Sequence, residues 1–184
     1  ARIAIDEHGN QQASTLRRLA ANPNVFNEAA VGYAARRGLV IAENEHAVAF
    51  AGFGHRYPTI EGFSKSEASF PWEHAPEEVR GMSDLLHAMH AATGPDVPCN
   101  EEWHYRPVDT PLAMPWRIML KWRISTLAGF EGATKIYLNT IAPGTLRDRV
   151  VARRRELRDL GVLAPGLAIA EEATTAPNPL RYRR

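Results

Sequence analysis

The sequence predicts an α+β fold built on a mostly antiparallel sheet with flanking helices. Trp116, Ile118, Leu120, Trp122 and Ile124 alternate with Arg117, Met119, Lys121 and Arg123, the two-residue period of a strand with one buried face. Two apolar runs, residues 39–42 and 46–53, flank the polar Glu43-Asn44-Glu45 and read as a β-hairpin. Segments beginning near Pro76 and Gly144 instead carry apolar residues at helical spacing.

Taken in order, residues 14–21 predict a short helix with Ser14 as cap and Leu16 and Leu19 on one side, ended before Pro23. A second helix is expected over 24–36, stopped by Gly38. After the hairpin, Pro58, Gly62 and Pro71 break up the chain and leave room for one short strand over 59–63. Pro76 suits a first helical turn, Glu77 and Glu78 suit the positive end of the helix dipole, and Val79, Met82, Leu86 and Met89 form the expected buried stripe. His74 belongs to the entry of that helix. Gly94 and Pro95 end it, and a strand is expected over 97–105. The alternating strand follows, then a further strand over 135–141 and a helix over 144–160 with Leu146, Val150, Leu157 and Leu160 on one stripe. Residues 162–184, rich in Ala, Pro and Thr, read as an extended tail. The expected organisation is a helical lead-in over 1–38, one domain over 39–161, and that tail.

The chain has 184 residues, enough for one domain with a real core, and a formal net charge of +1, which supplies no global attraction to nucleic acid. Cys99 is the only cysteine, which excludes an intrachain disulfide and a multi-thiolate metal site and fits a cytoplasmic protein. It reads as a small apolar filler. No run approaches the roughly 18 apolar residues a membrane span needs, and no basic-then-apolar leader opens the chain. The first residue is Ala rather than Met, as in a processed or excised piece of a longer polypeptide.

Alternation puts Arg117, Lys121 and Arg123 on one strand face, where guanidinium and ammonium groups can hold phosphate oxygens; a wetted sheet face with cations spaced for solubility is the plainer alternative. Glu102 and His104 share a strand face and can form an acid–base pair, although a strand histidine is commonly structural. His87 and His90 stand three apart on a helix with no third ligand in view. Trp103, Trp116 and Trp122 are expected in the core, with base stacking as the sharper alternative. Arg147, Arg149, Arg153, Arg154, Arg155 and Arg158 give the last helix a basic side, but Asp148, Glu156 and Asp159 can pair with it, so a solvated or protein-facing surface is preferred over a nucleic-acid interface.

The block AGFEGATKIYLN over 128–139, the run GLVIAENEHAVAFAGF, and VPCNEEWHYRP, where Asn100 and His104 precede a proline, occur in the order found in galactose-1-phosphate uridylyltransferase-like proteins. Over residues 25–149 the chain resembles the C-terminal half of that family, which belongs to the histidine-triad superfamily. The resemblance implies a histidine-triad-like half domain, a sheet face turned toward a substrate pocket, and a place in galactose metabolism. Family members carry His-Trp-His where this sequence reads Pro115-Trp116-Arg117. Those histidines help hold a zinc or iron ion in related proteins, and His104 alone makes a poor site, so no metal or other cofactor is expected in this chain. The family's nucleophile is a histidine of a His-Pro-His type motif in the other half; no such motif occurs here, so no catalytic residue is assigned.

The resulting expectation is a uridylyltransferase-like domain that binds a nucleotide or sugar phosphate through Arg117, Lys121, Arg123, His104 and Asn100. Transfer would require a histidine from a missing N-terminal half. The alternatives are a non-catalytic domain that dimerises or supports a partner, and a nucleic-acid module built on the basic helix.

Overall fold

A computed structural model describes residues 15–126 and 128–183. The expected cap Ser14 lies outside the described residues. Residues 15–21 are helical and bury Leu19. The second helix has wide π-type turns over Phe26–Val31 and passes into α1 (Gly32–Arg36), which ends before Gly38 as expected.

Six strands follow: β1 (Val40–Glu43), β2 (Ala47–Ala51), β3 (Thr59–Ser64), β4 (Cys99–His104), β5 (Arg117–Trp122) and β6 (Ala168–Ile169). They form one antiparallel sheet in the order β4-β5-β3-β2-β1-β6. The predicted hairpin is β1–β2. Its turn is held by the Asn44 side chain, which accepts hydrogen bonds from the backbone of His46 and Ala47. Helix α2 (Pro76–Thr93) starts at Pro76, and the Glu78 carboxylate accepts the Ala75 N–H at its entry. His74 is buried there, bonded to Phe70 O through Nδ1 and to Ser64 Oγ through Nε2.

α2 and α4 (Pro143–Asp159) pack together on one face of the sheet. Ile118, Leu120 and Trp122 are buried, and the Trp122 indole donates to Thr93 on α2. The buried side of α2 is Met82, Leu85, Ala88 and Met89, so Val79 is exposed where a core position was expected. On α4, Leu146, Val150 and Leu157 are buried as predicted, but Leu160 lies in solvent and Arg154 is fully covered. Arg154 donates to the Leu85 and Ala88 carbonyls of α2, and burial pulls its guanidinium down to about 10. Trp103 also departs from expectation: it sits at the outer end of edge strand β4, 47 % exposed against Trp116.

Two larger segments differ. Residues 128–141 do not form a strand: Gly129–Thr134 is a short helix, α3, closed by Lys135 in the left-handed region, and residues 135–139 are irregular. β5 is already hydrogen-bonded on one side by β3 and on the other by β4, so no edge beside it is open to the next segment. Residues 162–183 do not trail away as the expected extended tail. β6 extends the sheet beyond β1, and Leu163, Leu167, Ile169, Leu180 and Tyr182 are buried. Tyr182 donates to Pro23 O and packs edge-on against Phe26, tying both ends of the domain together. Arg147, Arg155 and Arg158 on α4 pair with Glu171 and Glu172 of this segment. The basic side of the helix is therefore largely a surface that docks the chain's own C-terminal segment.

Gly81 marks the closest approach of α2 to the hairpin. Its carbonyl accepts from Asn44, and a Cβ there would lie 2.7 Å from His46 Cβ. Gly81→Ala therefore sets a helix-propensity gain of up to about 1 kcal/mol against an overpacking cost of about 1–3 kcal/mol. The expected outcome in urea denaturation is a net loss of stability with an unchanged m-value.

Candidate functional site

Because α2 and α4 cover one face of the sheet, the two-residue period of β5 directs Arg117, Met119 and Lys121 to the other. Pairing register lines up three rows across that face: Phe63, Arg117 and His104; Glu61, Met119 and Glu102; Thr59, Lys121 and Asn100. The β4 and β5 members of these rows form the floor of a cleft of about 880 Å³. Its walls come from the β2–β3 loop with His55, Arg56 and Tyr57, from the residues after β4 including Arg106, and from Tyr137 of the segment after α3. Four of the five residues expected to bind substrate, Asn100, His104, Arg117 and Lys121, line this cleft. Arg123 does not. It is exposed one residue past the end of β5, where its backbone N–H is bonded to Pro98 O.

Arg117 is central to the floor. Its side chain is 20 % exposed, its guanidinium lies over the rings of Phe26 and Phe63, and Nη1 is 3.9 Å from Glu61 Oε2. Burial pulls this guanidinium below its ordinary range, opposed by the charges of Glu61 and Glu102. Lys121 donates to Glu102 Oε2 at 2.7 Å. The same carboxylate oxygen is 3.4 Å from His104 Nε2, so the expected Glu102–His104 pair exists and is shared with Lys121. Burial alone would raise the Glu102 carboxyl, but the Lys121 and His104 contacts outweigh it and hold the group below the usual carboxylate range. His104 is pushed below its ordinary value first by burial and then by Arg117, with Glu102 pulling the other way.

Sequence reasoning missed Arg56, Arg106, His55 and Glu61. Arg56 lies between the rings of Tyr57 and Tyr137, at 5.0 and 4.5 Å from their centroids, and Arg106 lies over Phe70. The Nε atoms of Arg56, Arg106 and Arg117 are all buried without a hydrogen-bond partner among the described residues. Arg56 and Arg106 fall in irregular segments with no period to assign their faces. The signal available in the sequence was only their flanking by aromatic residues, Tyr57 and Tyr105.

The zinc or iron implied by the resemblance does not fit these residues. Position 115 is a proline without a donor side chain, position 117 carries a permanent cation, and His104 is left with Glu102 alone. Elsewhere His87 is exposed and His90 is bonded to Glu101. Among the described residues no three His, Cys, Asp or Glu side chains converge as a metal site.

Residues 2–182 match the family described as Domain of unknown function (DUF4921). The chain belongs to that family. Curated proteins yield no match. Among solved structures, an ADP-glucose phosphorylase from Arabidopsis thaliana with bound ADP-glucose aligns with a TM-score of 0.62 and 22 % identity, covering 74 % of this chain and 46 % of that one. A GalT-like protein from Arabidopsis thaliana aligns at 0.59 and 24 %, over 73 % and 48 % of the two chains. A uridylyltransferase aligns at 0.58 and 17 %, over 81 % and 50 %. This DUF4921 chain thus has the GalT-like fold expected from its motifs, and it spans about half the length of the solved structures it matches. No described helix is long and apolar enough to cross a membrane.

The direction of the His104 shift gives a stability test. With its folded pKa below 6.5, the unfolded chain binds more protons in the window beneath that value, so stability rises with pH there and falls as pH drops from 6.5 toward the folded pKa. Between pH 7.5 and 5.5 the melting temperature of His104→Gln is expected to fall less than that of the unsubstituted protein. Equal slopes by scanning calorimetry would show that His104 titrates alike in both states.

Proposed function

We propose that this chain is a uridylyltransferase-like domain whose cleft binds the phosphate groups of a nucleotide or sugar phosphate. The observation that carries this reading is the set of three buried arginine Nε–H donors, on Arg56, Arg106 and Arg117, that have no partner among the described residues and surround one cleft that also holds Lys121. Buried donors are normally satisfied, and phosphate oxygens offer the multiple acceptors that guanidinium groups take in pairs. Glu102 is the only carboxylate lining the cleft among the described residues, against four cations. Asn100 and His104 add neutral polar contacts beside the cations. The solved structures of like fold, one of them holding ADP-glucose, support a nucleotide-type ligand. Transfer through a histidine nucleophile belongs, on this reading, to a second half of the kind that doubles the length of those structures.

A second reading, a domain that pairs with another protein or another copy, is favoured by the exposure of Phe130, Ile136 and Leu138, each more than half accessible, in the segment beside the cleft. Light scattering at micromolar concentration distinguishes it: a dimer that Phe130→Ser and Leu138→Ser convert to monomer supports that role, and a monomer throughout counts against self-association.

For the leading reading the measurement is thermal unfolding with inorganic phosphate, uridine and adenosine nucleotides, and glucose 1-phosphate. A ligand at about 100 times its Kd raises stability by about 2.7 kcal/mol. Lys121→Met and Arg56→Met each remove a charge-assisted contact worth about 1.5–3 kcal/mol, so the expected loss of affinity is roughly 10- to 100-fold. Unchanged melting at millimolar concentrations of every ligand would sink the proposal.

A further inference from the structure

The β2–β3 loop carries a second device that the phosphate reading does not use. Glu61 is buried on the cleft side of β3, directly across from Met119 and next to Arg117. Its Oε1 accepts a hydrogen bond of 2.8 Å from His55 Nε2, while Oε2 faces Arg117 Nη1 at 3.9 Å. The loop is shaped for this contact. A Cβ on Gly52 would lie 2.8 Å from His55 Cδ2 and 3.0 Å from Glu61 Oε1, so only glycine leaves room for the imidazole to settle over the carboxylate. Asn139 holds the other side of the loop by donating to the His55 carbonyl.

These contacts decide the chemistry of the ring. A carboxylate only accepts, so the nitrogen that bonds it, Nε2, carries the proton. In the neutral imidazole the lone pair then resides on Nδ1, which has no protein partner among the described residues. His55 keeps 21 % of its side-chain surface accessible and lines the same cleft as Arg56, Arg106, Arg117 and Lys121. A carboxylate that sets the tautomer and stabilises the imidazolium is the arrangement that makes a histidine an effective general base.

We propose that His55 is the proton acceptor of a phosphoanhydride-hydrolysing site in this cleft, with Glu61 as its positioning residue. The proposal rests on the phosphate-binding reading above. Four cations spread over the sheet floor and two walls exceed what a single phosphate requires and suit the two adjoining phosphoryl groups of a nucleoside diphosphate or its sugar ester. In the step proposed, a water oxygen forms the new bond to phosphorus while one of its protons passes to His55 Nδ1. The bridging P–O bond breaks, and its electron pair leaves on the oxygen of the departing phosphoryl group, whose charge Arg56, Arg106, Arg117 and Lys121 balance. The imidazolium, held by Glu61, then returns the proton to that oxygen or to solvent. Nothing is oxidised or reduced.

The test uses the full chain with UDP, ADP and their glucose esters, reading melting temperature, release of phosphate or nucleoside monophosphate, and the ¹⁵N shifts of the imidazole nitrogens. Expected are a ligand-induced rise in melting temperature, hydrolysis by the unsubstituted protein, and a fall in kcat of about 10²- to 10⁴-fold in His55→Gln with the melting shift retained. The ¹⁵N spectrum should show the Nε2–H tautomer of His55 predominating, and both tautomers in Glu61→Gln. Ligand binding without hydrolysis, or hydrolysis unaffected by His55→Gln, would overturn the base while leaving the binding site intact. A predominant Nδ1–H tautomer in the unsubstituted protein would overturn it even if the variants failed to fold. No ligand-induced shift at all would remove the phosphate reading and this proposal together.

Discussion

Burial of Ile118, Leu120 and Trp122 under α2 and α4 is the constraint from which the candidate site follows. Side chains of a strand alternate between faces, so committing these three to the core commits Arg117, Met119 and Lys121 to the opposite side. A slip of one residue would drive two cations into the helix layer, where nothing could repay their desolvation. Register with β3 and β4 extends the same choice sideways: it sets Glu61 beside Arg117 and brings Glu102 and His104 to the cleft without any further requirement on their own strands.

The cost of that placement is electrostatic. Arg117 is largely removed from water, and among the described residues its guanidinium meets a carboxylate 3.9 Å away and two aromatic faces. A cation left partly uncompensated in this way is poised to gain from an anionic ligand, since most of its desolvation has already occurred in the folded protein. Arg154 shows the contrasting solution on the helix side. It is buried as deeply as the apolar core, and its Nε and Nη2 donate to helix carbonyls while Nη1 has no hydrogen-bond partner among the described residues. The two residues look alike in sequence, each one cation in a run of mixed polarity, and only their surroundings separate a ligand-facing group from a strut between helices.

Much of the fold was legible where a period exists. The hairpin, the strands over 59–64, 99–104 and 117–122, and the helices beginning at Pro76 and Pro143 follow from alternation, helical spacing and proline placement. Reading failed at residues 135–141, whose apolar residues suggested a strand: both sides of β5 are taken by β3 and β4, and the segment does not add to the outer edge of β4. It failed again beyond residue 161. Ala-, Pro- and Thr-rich composition carries little local signal, yet Leu180 and Tyr182 find a buried place against the helices near the N-terminus.

By itself, the sequence determined which residues could share a strand face, and hence that Arg117 and Lys121 would stand together with His104 and Asn100 on the neighbouring strand. Its motif order also pointed to the GalT-like fold. Tertiary structure alone decided that this face would be roofed into a cleft, that Arg123 would fall outside it, that His55, Arg56 and Arg106 would line it, and that Glu61 would be buried against His55. The physical reason is range: periodicity is a property of adjacent residues on one element, whereas the cleft is made by segments far apart in the chain, such as those of His55 and Asn139, 84 residues from each other, whose meeting depends on the packing of the whole sheet.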